Sequence, residues 1–424
     1  MSINVDRRVK DIHSYIENIK ERGISSDYIT VEHRNNNPKR DFLFVNKYQC
    51  KHIPCDVSKL YEMTDELASQ VTEKLKKDHS ADNILVVGFA ETATAIGTLV
   101  AYNLSKRLSN SLKPRFKNVY LTHTTREFIS LSKELITFEE EHSHATTQEL
   151  LVDNDTDEFE LFKKYKYILF VEDEISTGNT ILNFIKAIEE KYGQEFRYGV
   201  ASVCNWQSYE NREKFNEHNV DTFYLIGGDL ALNGKTKMKL RNGDVIDFEP
   251  KEENETINSV IDINIKNNSE TFRQERLGVE LNSDSEIIDY NTMNKIMESI
   301  ENNSRYSIRV IGTEEFMAVP IEFAHKVSNM YNNQYSFMVH ATTRSKIDVL
   351  RSEFDGTASG IKSRFDIVSP YDYNRNTYIY NLDEYTPYTI VMTDTCDDNS
   401  FAKFKDNITK ALQGHTRHIL FVRF

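Results

Sequence analysis

The sequence has few cysteines and no long apolar run. Four cysteines among 424 residues are too sparse for a disulfide framework and suit a reducing compartment. No stretch approaches the roughly 20 consecutive apolar residues that a membrane-spanning helix needs, and the first residues lack the apolar core of a secretion signal. These absences predict a cytoplasmic protein without a membrane partner.

Positive charge is also scarce. The 52 lysines and arginines are outnumbered by 66 aspartates and glutamates, which gives a formal net charge of −14. Proteins that bind nucleic acids neutralise backbone phosphates with basic patches, so we expect no nucleic-acid partner. The hydrophobic content of 39% and the charged content of 28% are typical of globular proteins, and the length predicts two or three domains.

Cys50 and Cys55 lie near each other in the sequence and could form half of a metal site. Four residues separate them, however, and no second pair follows, whereas structural zinc sites usually combine two pairs of ligands. We therefore favour two ordinary thiols.

The most informative segment joins an apolar run, two acids and a loop of small polar residues. Residues 168–171 are uninterrupted and apolar, as expected for a central strand covered on both faces. Glu172 and Asp173 follow at its carboxyl end, and a helical pattern begins near Ile181. The loop between them contains Ser176, Thr177, Gly178, Asn179 and Thr180.

This arrangement predicts a binding site for a phosphorylated sugar. Backbone N–H groups at the start of a helix converge on an anion, and a glycine lets the chain approach it closely. Two adjacent carboxylates would repel a phosphate, but they can accept hydrogen bonds from vicinal hydroxyls, so a ribose 5-phosphate satisfies both conditions. The segment lacks the Gly-Lys-Ser/Thr of a Walker loop and the three spaced glycines of a dinucleotide fingerprint. The plainer alternative is an ordinary strand, acidic turn and helix N-cap.

Four apolar positions, two acids, two variable positions and Ser-Thr-Gly-x-Thr resemble the PRPP (5-phosphoribosyl 1-diphosphate) motif of type I phosphoribosyltransferases. The resemblance implies that Glu172 and Asp173 bind the ribose hydroxyls together with Mg²⁺, and that residues 176–180 enclose the 5-phosphate. Purine-using relatives often carry an aspartate at the position of Ser176, whereas orotate-type members carry a hydroxyl residue. The resemblance therefore argues against purine salvage.

A second strand-to-helix junction lies upstream, where apolar residues 84–87 precede a glycine turn and a helical pattern from Thr94. The resemblance implies that this turn is the pyrophosphate loop, although any buried strand before a glycine turn has this pattern. Glu91 is an unusual acid in an anion-binding loop, so it could bind Mg²⁺ or face solvent. The predicted loop consists of Gly88, Phe89, Ala90, Glu91, Thr92 and Ala93.

Residues 118–121 predict another strand, which leads to a Thr-Thr-Arg triplet ending in Arg126. By resemblance, Arg126 stabilises the departing pyrophosphate. The following residues 127–147 are polar and charged, which predicts a mobile lid. His142 and His144 in this stretch could donate to pyrophosphate when protonated, act on the acceptor's proton, bind a metal or be solvated.

The last third of the chain repeats the same order of pieces. An apolar run ends at Gly312 as another does at Gly88, and a second Thr-Thr-Arg triplet ends at Arg344. Asp394 takes the place of Asp173 at nearly the same distance from the glycine, but no Ser-Thr-Gly cradle follows it. We infer a duplicated unit whose second copy has lost its phosphate pocket. Chance similarity of two α/β segments is the alternative.

The predicted fold class is therefore α/β, with two type I phosphoribosyltransferase-like domains of Rossmann-like, mainly parallel sheet, the second of them degenerate. The predicted segments are an N-terminal amphipathic helix at 1–25, a phosphoribosyltransferase-like domain at 26–226, a small strand-rich insertion or linker at 227–282 and the degenerate domain at 283–424. The helix could serve dimerisation, giving a homodimer, or pack on its own domain. It is predicted from steps of four and three between Val5, Val9, Ile12, Ile16 and Ile19.

The two-part layout resembles fusions of a phosphoribosyltransferase-like domain with a C-terminal domain named for a Thr-Arg-Ser-Pro (TRSP) motif, found among genes associated with tellurite resistance. A Thr-Arg-Ser triplet beginning at Thr343 matches that motif, and Lys346 replaces its proline. The resemblance implies nucleotide-like synthesis in a stress-associated pathway. In the linker, Arg273 and Arg276 are available to reach a diphosphate.

The combined pattern predicts an enzyme that transfers ribose 5-phosphate from PRPP to a nucleobase-like acceptor, with Mg²⁺ as cofactor and pyrophosphate as product. Glu172, Asp173 and Arg126 are the predicted catalytic residues. The alternative is a non-catalytic PRPP- or nucleotide-binding regulator, or an interaction scaffold.

Overall fold

Two α/β units, each built on a mainly parallel sheet, make up the computed structural model. Within the ranges that the structure describes, no helix is long and apolar enough to cross a membrane. The described residues are 12–34, 40–78, 83–109, 118–129, 132–139, 147–193, 195–231, 245–246, 256–265, 275–300, 306–331, 334–350, 360–394 and 396–424.

The first unit takes its strands and helices from the described residues up to 231, with short 3-10 helices at Ile12–Ser14 and Ser26–Tyr28. Its strands are β1 (Ile16–Glu21), β2 (Ile29–His33), β3 (Phe42–Asn46), β4 (Asn83–Gly88), β5 (Asn118–Thr125), β6 (Ser132–Glu139), β7 (Thr147–Asp153), β8 (Tyr167–Ile175), β9 (Arg197–Asn205) and β10 (Val220–Leu230). Its helices are α1 (Ser58–Asp78), α2 (Thr94–Ser109), α3 (Glu158–Lys164), α4 (Asn179–Tyr192) and α5 (Tyr209–Glu217).

The remaining elements follow in the rest of the described chain. The strands are β11 (Val245–Ile246), β12 (Ser259–Asn264), β13 (Val279–Leu281), β14 (Tyr306–Gly312), β15 (Tyr335–Ala341), β16 (Val349–Leu350), β17 (Arg364–Val368), β18 (Asn376–Tyr380), β19 (Thr386–Thr393) and β20 (Thr416–Arg423). The helices are α6 (Tyr290–Met297), α7 (Ala318–Met330) and α8 (Asp398–Ala411).

The larger sheet has the order β1-β10-β9-β8-β4-β5-β7-β6 among the described strands. Its central strands β10, β9, β8, β4 and β5 are parallel, and helices cover both faces. Val86 and Leu169 pack in the cluster that contains α1 and α2, whereas Val87 and Phe170 pack with α4. This burial on both faces explains why the strands are apolar without alternation.

The second sheet repeats the central part of the first. Its order is β12-β20-β19-β14-β15, and all of its described pairings are parallel. β14 and β15 correspond to β4 and β5, β19 and β20 to β8 and β9, and β12 occupies the place of β10. The two-unit α/β fold class is thus confirmed, and the duplication is visible in strand order.

The segment between the two units contributes strands to both sheets. β13 pairs antiparallel with β5 of the first unit, and β12 pairs parallel with β20 of the second. The hairpin-like pattern at 240–247 lies mostly outside the described residues. The boundaries at 226 and 283 stay a prediction.

The prediction of an N-terminal amphipathic helix is wrong over the described part of residues 1–25. Strand β1 pairs antiparallel with β10, and Asn18, at φ 52°, lies in an irregularity of this pairing. Pairing with the otherwise open edge of β10 outweighs the local four-residue periodicity. Because β1 belongs to its own sheet, dimerisation through such a helix has no structural basis in the described residues. Val5 and Val9 lie outside them.

The prediction of a mobile lid at residues 127–147 is also wrong over much of that segment. β6 and β7 form an antiparallel pair that extends the large sheet. Phe138 stacks on Phe184 of α4 with ring centroids 4.4 Å apart, and Leu135 is buried in the same cluster. Burying these side chains against α4 makes the segment part of the core despite its many charges. His142 and His144 lie outside the described residues.

Candidate active site

The predicted phosphate loop joins the central strand β8 to helix α4. Glu172 and Asp173 are partly exposed near the carboxyl end of β8, and α4 begins at Asn179. The N-cap residue is Gly178, which adopts φ 83° and offers no side-chain acceptor to the first helical amides. Thr177 adds a hydroxyl, whose Oγ1 accepts a hydrogen bond from Asn179 N at 3.3 Å. The helix start thus keeps amides that can bind an anion.

Only glycine fits at position 178. Its φ lies in the left-handed region, and a Cβ there would lie 2.4 Å from a ring carbon of Phe215 and 2.7 Å from Gln207 Nε2. Gln207 Nε2 donates to Thr177 O at 3.3 Å, which fixes the loop from the neighbouring strand end. The five predicted loop residues therefore lie together in one turn beside the two acids.

The surroundings of Asp173 set the pKa of its carboxyl group. Burial, and then the nearby Glu174 carboxylate, raise the pKa of Asp173 to about 6, although the Gln49 side chain favours the ionised form and opposes this rise. Gln49 Nε2 also donates to Thr92 O at 3.3 Å, so it links Asp173 to the upstream loop. Glu174 is paired with Arg40 at 2.8 Å.

The loop at 88–93 runs beside the end of β8, as the sequence predicts. Phe89 N donates to Val171 O at 3.1 Å, and Ala90 N donates to Thr124 Oγ1 at 2.9 Å. The Ala90–Glu91 peptide bond is cis. Two amides of this loop are therefore already engaged within the first unit.

Glu91 neither faces solvent nor stands alone. It is 7% exposed, and its Oε1 lies 2.5 Å from the Nζ atom of the buried Lys51. Burial alone would raise the pKa of Glu91, but the charges of Lys51, Arg344 and Arg126 lower it to about 2. Glu91 is therefore an ionised carboxylate that already faces an ammonium group.

Each Thr-Thr-Arg triplet donates hydrogen bonds to a glutamate of the other unit, across the interface between them. Arg126 N donates to Glu315 Oε1 at 3.0 Å, and Arg344 N donates to Glu91 Oε2 at 3.3 Å. Thr125 Oγ1 adds a bond of 2.7 Å to Glu315 Oε2. The second unit therefore packs directly against the predicted pyrophosphate loop of the first.

The equivalent site in the second unit is filled by protein groups. Asp394 is 4% exposed and bonds to Arg276 and to the Tyr371 hydroxyl. Arg276 Nε also lies 3.1 Å from Glu315 Oε2. The prediction that Arg276 reaches a diphosphate is therefore wrong, because its guanidinium neutralises two buried carboxylates. Arg273 lies outside the described residues.

Arg40, Gln49 and Lys51 reach the site but were missed by sequence reasoning. They come from β3 and its flanking segments, which carry no recognisable motif, and their partners are distant in sequence. The apolar run of β3, which lies between Arg40 and Gln49, is a sequence signal that could have directed attention there.

The donor set around β8 fits a magnesium ion that is shared with a substrate. No cluster of three or more metal-ligating side chains occurs among the described residues. Mg²⁺ commonly binds through one or two carboxylates and substrate phosphates, which suits the adjacent Glu172 and Asp173.

The parallel sheet, the paired acids and the open helix start define a protein of the phosphoribosyltransferase class. The sequence matches the family model described as phosphoribosyl transferase over residues 29–226, and the model described as TRSP domain C terminus to PRTase_2 over residues 274–409. The chain belongs to this family, in which a TRSP domain follows the phosphoribosyl transferase domain. No curated protein matches the chain significantly.

Several solved phosphoribosyltransferases are similar at low identity. Adenine phosphoribosyltransferase from Rhodothermus marinus is 14% identical, with 47% of this chain and 93% of that chain covered and a TM-score of 0.28. Orotate phosphoribosyltransferase from Mycobacterium tuberculosis in complex with PRPP is 13% identical, with 40% and 78% covered and a TM-score of 0.21. A phosphoribosyltransferase from Corynebacterium diphtheriae is 16% identical, with 47% and 89% covered and a TM-score of 0.25.

Proposed function

We propose that the first unit binds PRPP and transfers its ribose 5-phosphate to a nucleobase-like acceptor with release of pyrophosphate. The observation that carries this proposal is the start of α4, where the N-cap residue Gly178 supplies no side-chain acceptor, and Thr177 Oγ1 accepts only from Asn179 N, beside Glu172 and Asp173. Amides suit the phosphate, and carboxylates suit the ribose hydroxyls. The family match supports phosphoribosyl transfer in general.

The proposed mechanism asks for positioning and electrostatics rather than covalent chemistry. The 176–180 loop anchors the phosphate, and Glu172 and Asp173 hold the ribose so that its reactive carbon faces the acceptor. Mg²⁺ held at these carboxylates would neutralise charge on the leaving pyrophosphate. In this proposal Arg126 and the 88–93 loop stabilise the departing pyrophosphate, and Lys51 holds the loop through Glu91.

The acceptor and the pathway follow only from resemblance. Ser176 in place of an acid favours an orotate-like heterocycle over a purine, and the resemblance to TRSP fusions implies a stress-associated, tellurite-related pathway. A cytoplasmic location is part of the same proposal.

A second candidate function is a PRPP-responsive regulator without turnover. It is favoured by the interface, where Arg344 and Arg375 bond to Glu127 and Glu314. Cations held by buried carboxylates are less available to stabilise pyrophosphate. A regulator would bind PRPP without consuming it.

Pyrophosphate release distinguishes the two candidates. The purified protein is incubated with PRPP, Mg²⁺ and each member of a nucleobase panel, alongside Asp173→Asn and the second-unit control Asp397→Ala. The enzyme proposal expects release by the wild type and the control, and loss of release in Asp173→Asn. PRPP binding without release for any base would support the regulator, and equal rates in Asp173→Asn would remove the ribose role of Asp173.

A further inference from the structure

The two nearby cysteines of the first unit meet in the fold. Cys50 Sγ and Cys55 Sγ lie 3.3 Å apart in the segment that joins β3 to α1, and they are 1% and 9% exposed. A disulfide bond is about 2.05 Å long, so the sulfur atoms need to approach each other by a little over an ångström. Of the other two cysteines, Cys204 lies in β9 and Cys396 in the connection between β19 and α8.

We propose that Cys50 and Cys55 form a modification site that closes reversibly to an intramolecular disulfide by exchange with a low-mass disulfide. Cys55 is the more exposed thiol, so its thiolate attacks the low-mass disulfide and releases one low-mass thiolate, which leaves as a thiol after protonation. The Cys50 thiolate then attacks the Cys55 sulfur of the mixed disulfide and releases the second low-mass thiol. The protein loses two protons and two electrons, and the low-mass disulfide takes them up to become two thiols.

Closure moves Cys50 more than Cys55, because the backbone holds Cys55 in place. Cys55 N donates to Val339 O at 3.1 Å, and Val339 N donates to Cys55 O at 2.9 Å, so Cys55 is fixed to the edge of the second sheet. Cys50 has no such pair of backbone bonds among the described contacts, and its φ of 56° lies in the left-handed region. The sulfur approach therefore displaces the Cys50 end of the segment.

The residue before Cys50 gives this displacement a consequence at the site. Gln49 Nε2 donates to Thr92 O at 3.3 Å, and the Gln49 side chain lowers the pKa of the Asp173 carboxyl against the effect of burial, so a shift of Cys50 moves a neighbour of the proposed ribose-binding acid. Lys51, on the other side, is held by Ala341 N, which donates to Lys51 O at 3.0 Å. This part rests on the proposed function, and it predicts that the oxidised protein binds PRPP about tenfold more weakly or worse.

The exchange is expected to be slow at neutral pH and faster in alkali. Burial raises the pKa of the Cys50 thiol well above its usual value, and the hydrogen-bonded Cys55 thiol raises it further. Only the thiolate attacks a disulfide, so the second step gains rate as pH rises.

The test uses the full chain and 2-hydroxyethyl disulfide, which is small and uncharged. After incubation at neutral and alkaline pH, free thiols are blocked in denaturant, and trypsin cuts at Lys51 between the two cysteines. The proposal expects the peptides that carry Cys50 and Cys55 to stay linked until a reductant is added. Cys396→Ser is expected to keep this link, whereas Cys50→Ser and Cys55→Ser lose it.

Refolding in a mixture of the same disulfide and its thiol removes any barrier that burial imposes. If both cysteines are still alkylated after refolding, while Cys396→Ser behaves as the wild type, the modification site is refuted. PRPP binding is then compared between oxidised and reduced protein. Equal affinity refutes the coupling to Gln49, whereas absence of PRPP binding in both forms refutes the proposed function and leaves the disulfide result standing.

Discussion

The starts of α4 and α8 occupy equivalent places in the two units, yet they satisfy their amides differently. In the first unit, Gly178 caps α4 without a side chain. In the second, the Asp397 carboxylate accepts hydrogen bonds from Asn399 N and Ser400 N, both at 3.0 Å. The carboxylate takes the amides that a phosphate would need. One helix start is open to a ligand, and the other is closed by its own sequence.

The acids at the ends of β8 and β19 differ in the same way. Asp173 is met by the neutral Gln49 side chain, and burial raises its pKa. Asp394 is met by the Arg276 guanidinium and the Tyr371 hydroxyl. Protein side chains, Arg276 from the segment between the units and Tyr371 from the second unit, thus occupy at Asp394 the place that a ligand would take at Asp173.

The framework, by contrast, is the same in both units. Ala90 N donates to Thr124 Oγ1 at 2.9 Å, and Glu314 N donates to Thr342 Oγ1 at 3.0 Å. Strand order and the turn after the first central strand survive, while the groups suited to a ligand do not. Duplication has therefore kept the contacts that hold the loops and changed those that hold a substrate.

The largest expected effect is a loss of stability when the buried Arg276–Asp394 pair of the second unit is broken. Replacing Arg276→Met leaves Asp394 and Glu315 buried without their cation, which should lower the free energy of unfolding by about 3–5 kcal/mol. Urea denaturation measures this loss. Lys410→Met, which removes an exposed pair with Asp406, is the control and should change little. A loss as small as that of the control would show that the buried pair does not hold the second unit.

A substitution in the loop at the start of α4 should lower PRPP affinity more than any other change. Gly178→Ala places a Cβ against Phe215 and Gln207, so PRPP affinity should fall by about 100-fold or more. Gly193→Ala is the matched control, since Gly193 ends the same helix at φ 91° with nothing within 4 Å of its Cβ position. It should share the backbone penalty and keep PRPP binding. Equal loss in both variants would mean that general destabilisation, not the loop, explains the effect.

Neutralising Asp173 should separate binding from stability. Asp173→Asn removes a partly buried charge, so at pH 7.5 the free energy of unfolding should rise by about 1–2 kcal/mol while PRPP affinity falls roughly tenfold or more. Because the folded pKa is raised to about 6, the stability cost of Asp173 is present above pH 6 and disappears as pH falls towards its ordinary value.

Measurements at two pH values check this prediction. Urea denaturation should show a smaller difference between wild type and Asp173→Asn at pH 5 than at pH 7.5. Wild-type PRPP affinity should also fall below pH 6, where the protonated carboxyl loses acceptor capacity. A stability difference that grows on acidification would contradict the assigned pKa direction.

The smallest effect should come from opening the closed helix start. Asp397→Ala removes a cap from α8, so the melting temperature should fall slightly, whereas PRPP affinity should stay at the wild-type value. Thermal unfolding and calorimetric titration of the same sample measure both. A changed affinity would show that the second helix start takes part in binding.

Local patterns allowed part of this molecule to be predicted. The apolar run of β8, the acids after it and the glycine loop before α4 are adjacent in the sequence, so their chemistry was visible there. The second copy was visible because its Thr-Thr-Arg triplet and Gly312 recur in order.

Pairings between distant residues could not be predicted. Lys51 meets Glu91 only after the first unit has folded, and Arg276 meets Asp394 only after the segment between the units has packed against the second sheet. The same limit explains the wrong N-terminal helix, because the strand conformation of β1 depends on the edge of β10. The spacing of apolar residues near the N-terminus does not show that β10 offers an edge for pairing.

Calorimetric titration of the wild-type protein with PRPP, with and without Mg²⁺, tests the central claim most directly. The difference between the two units predicts a single Mg²⁺-sensitive site of about micromolar affinity, since one helix start is open and the other is capped. Absence of binding heat in folded protein at two temperatures, or two equivalent sites, would contradict the account.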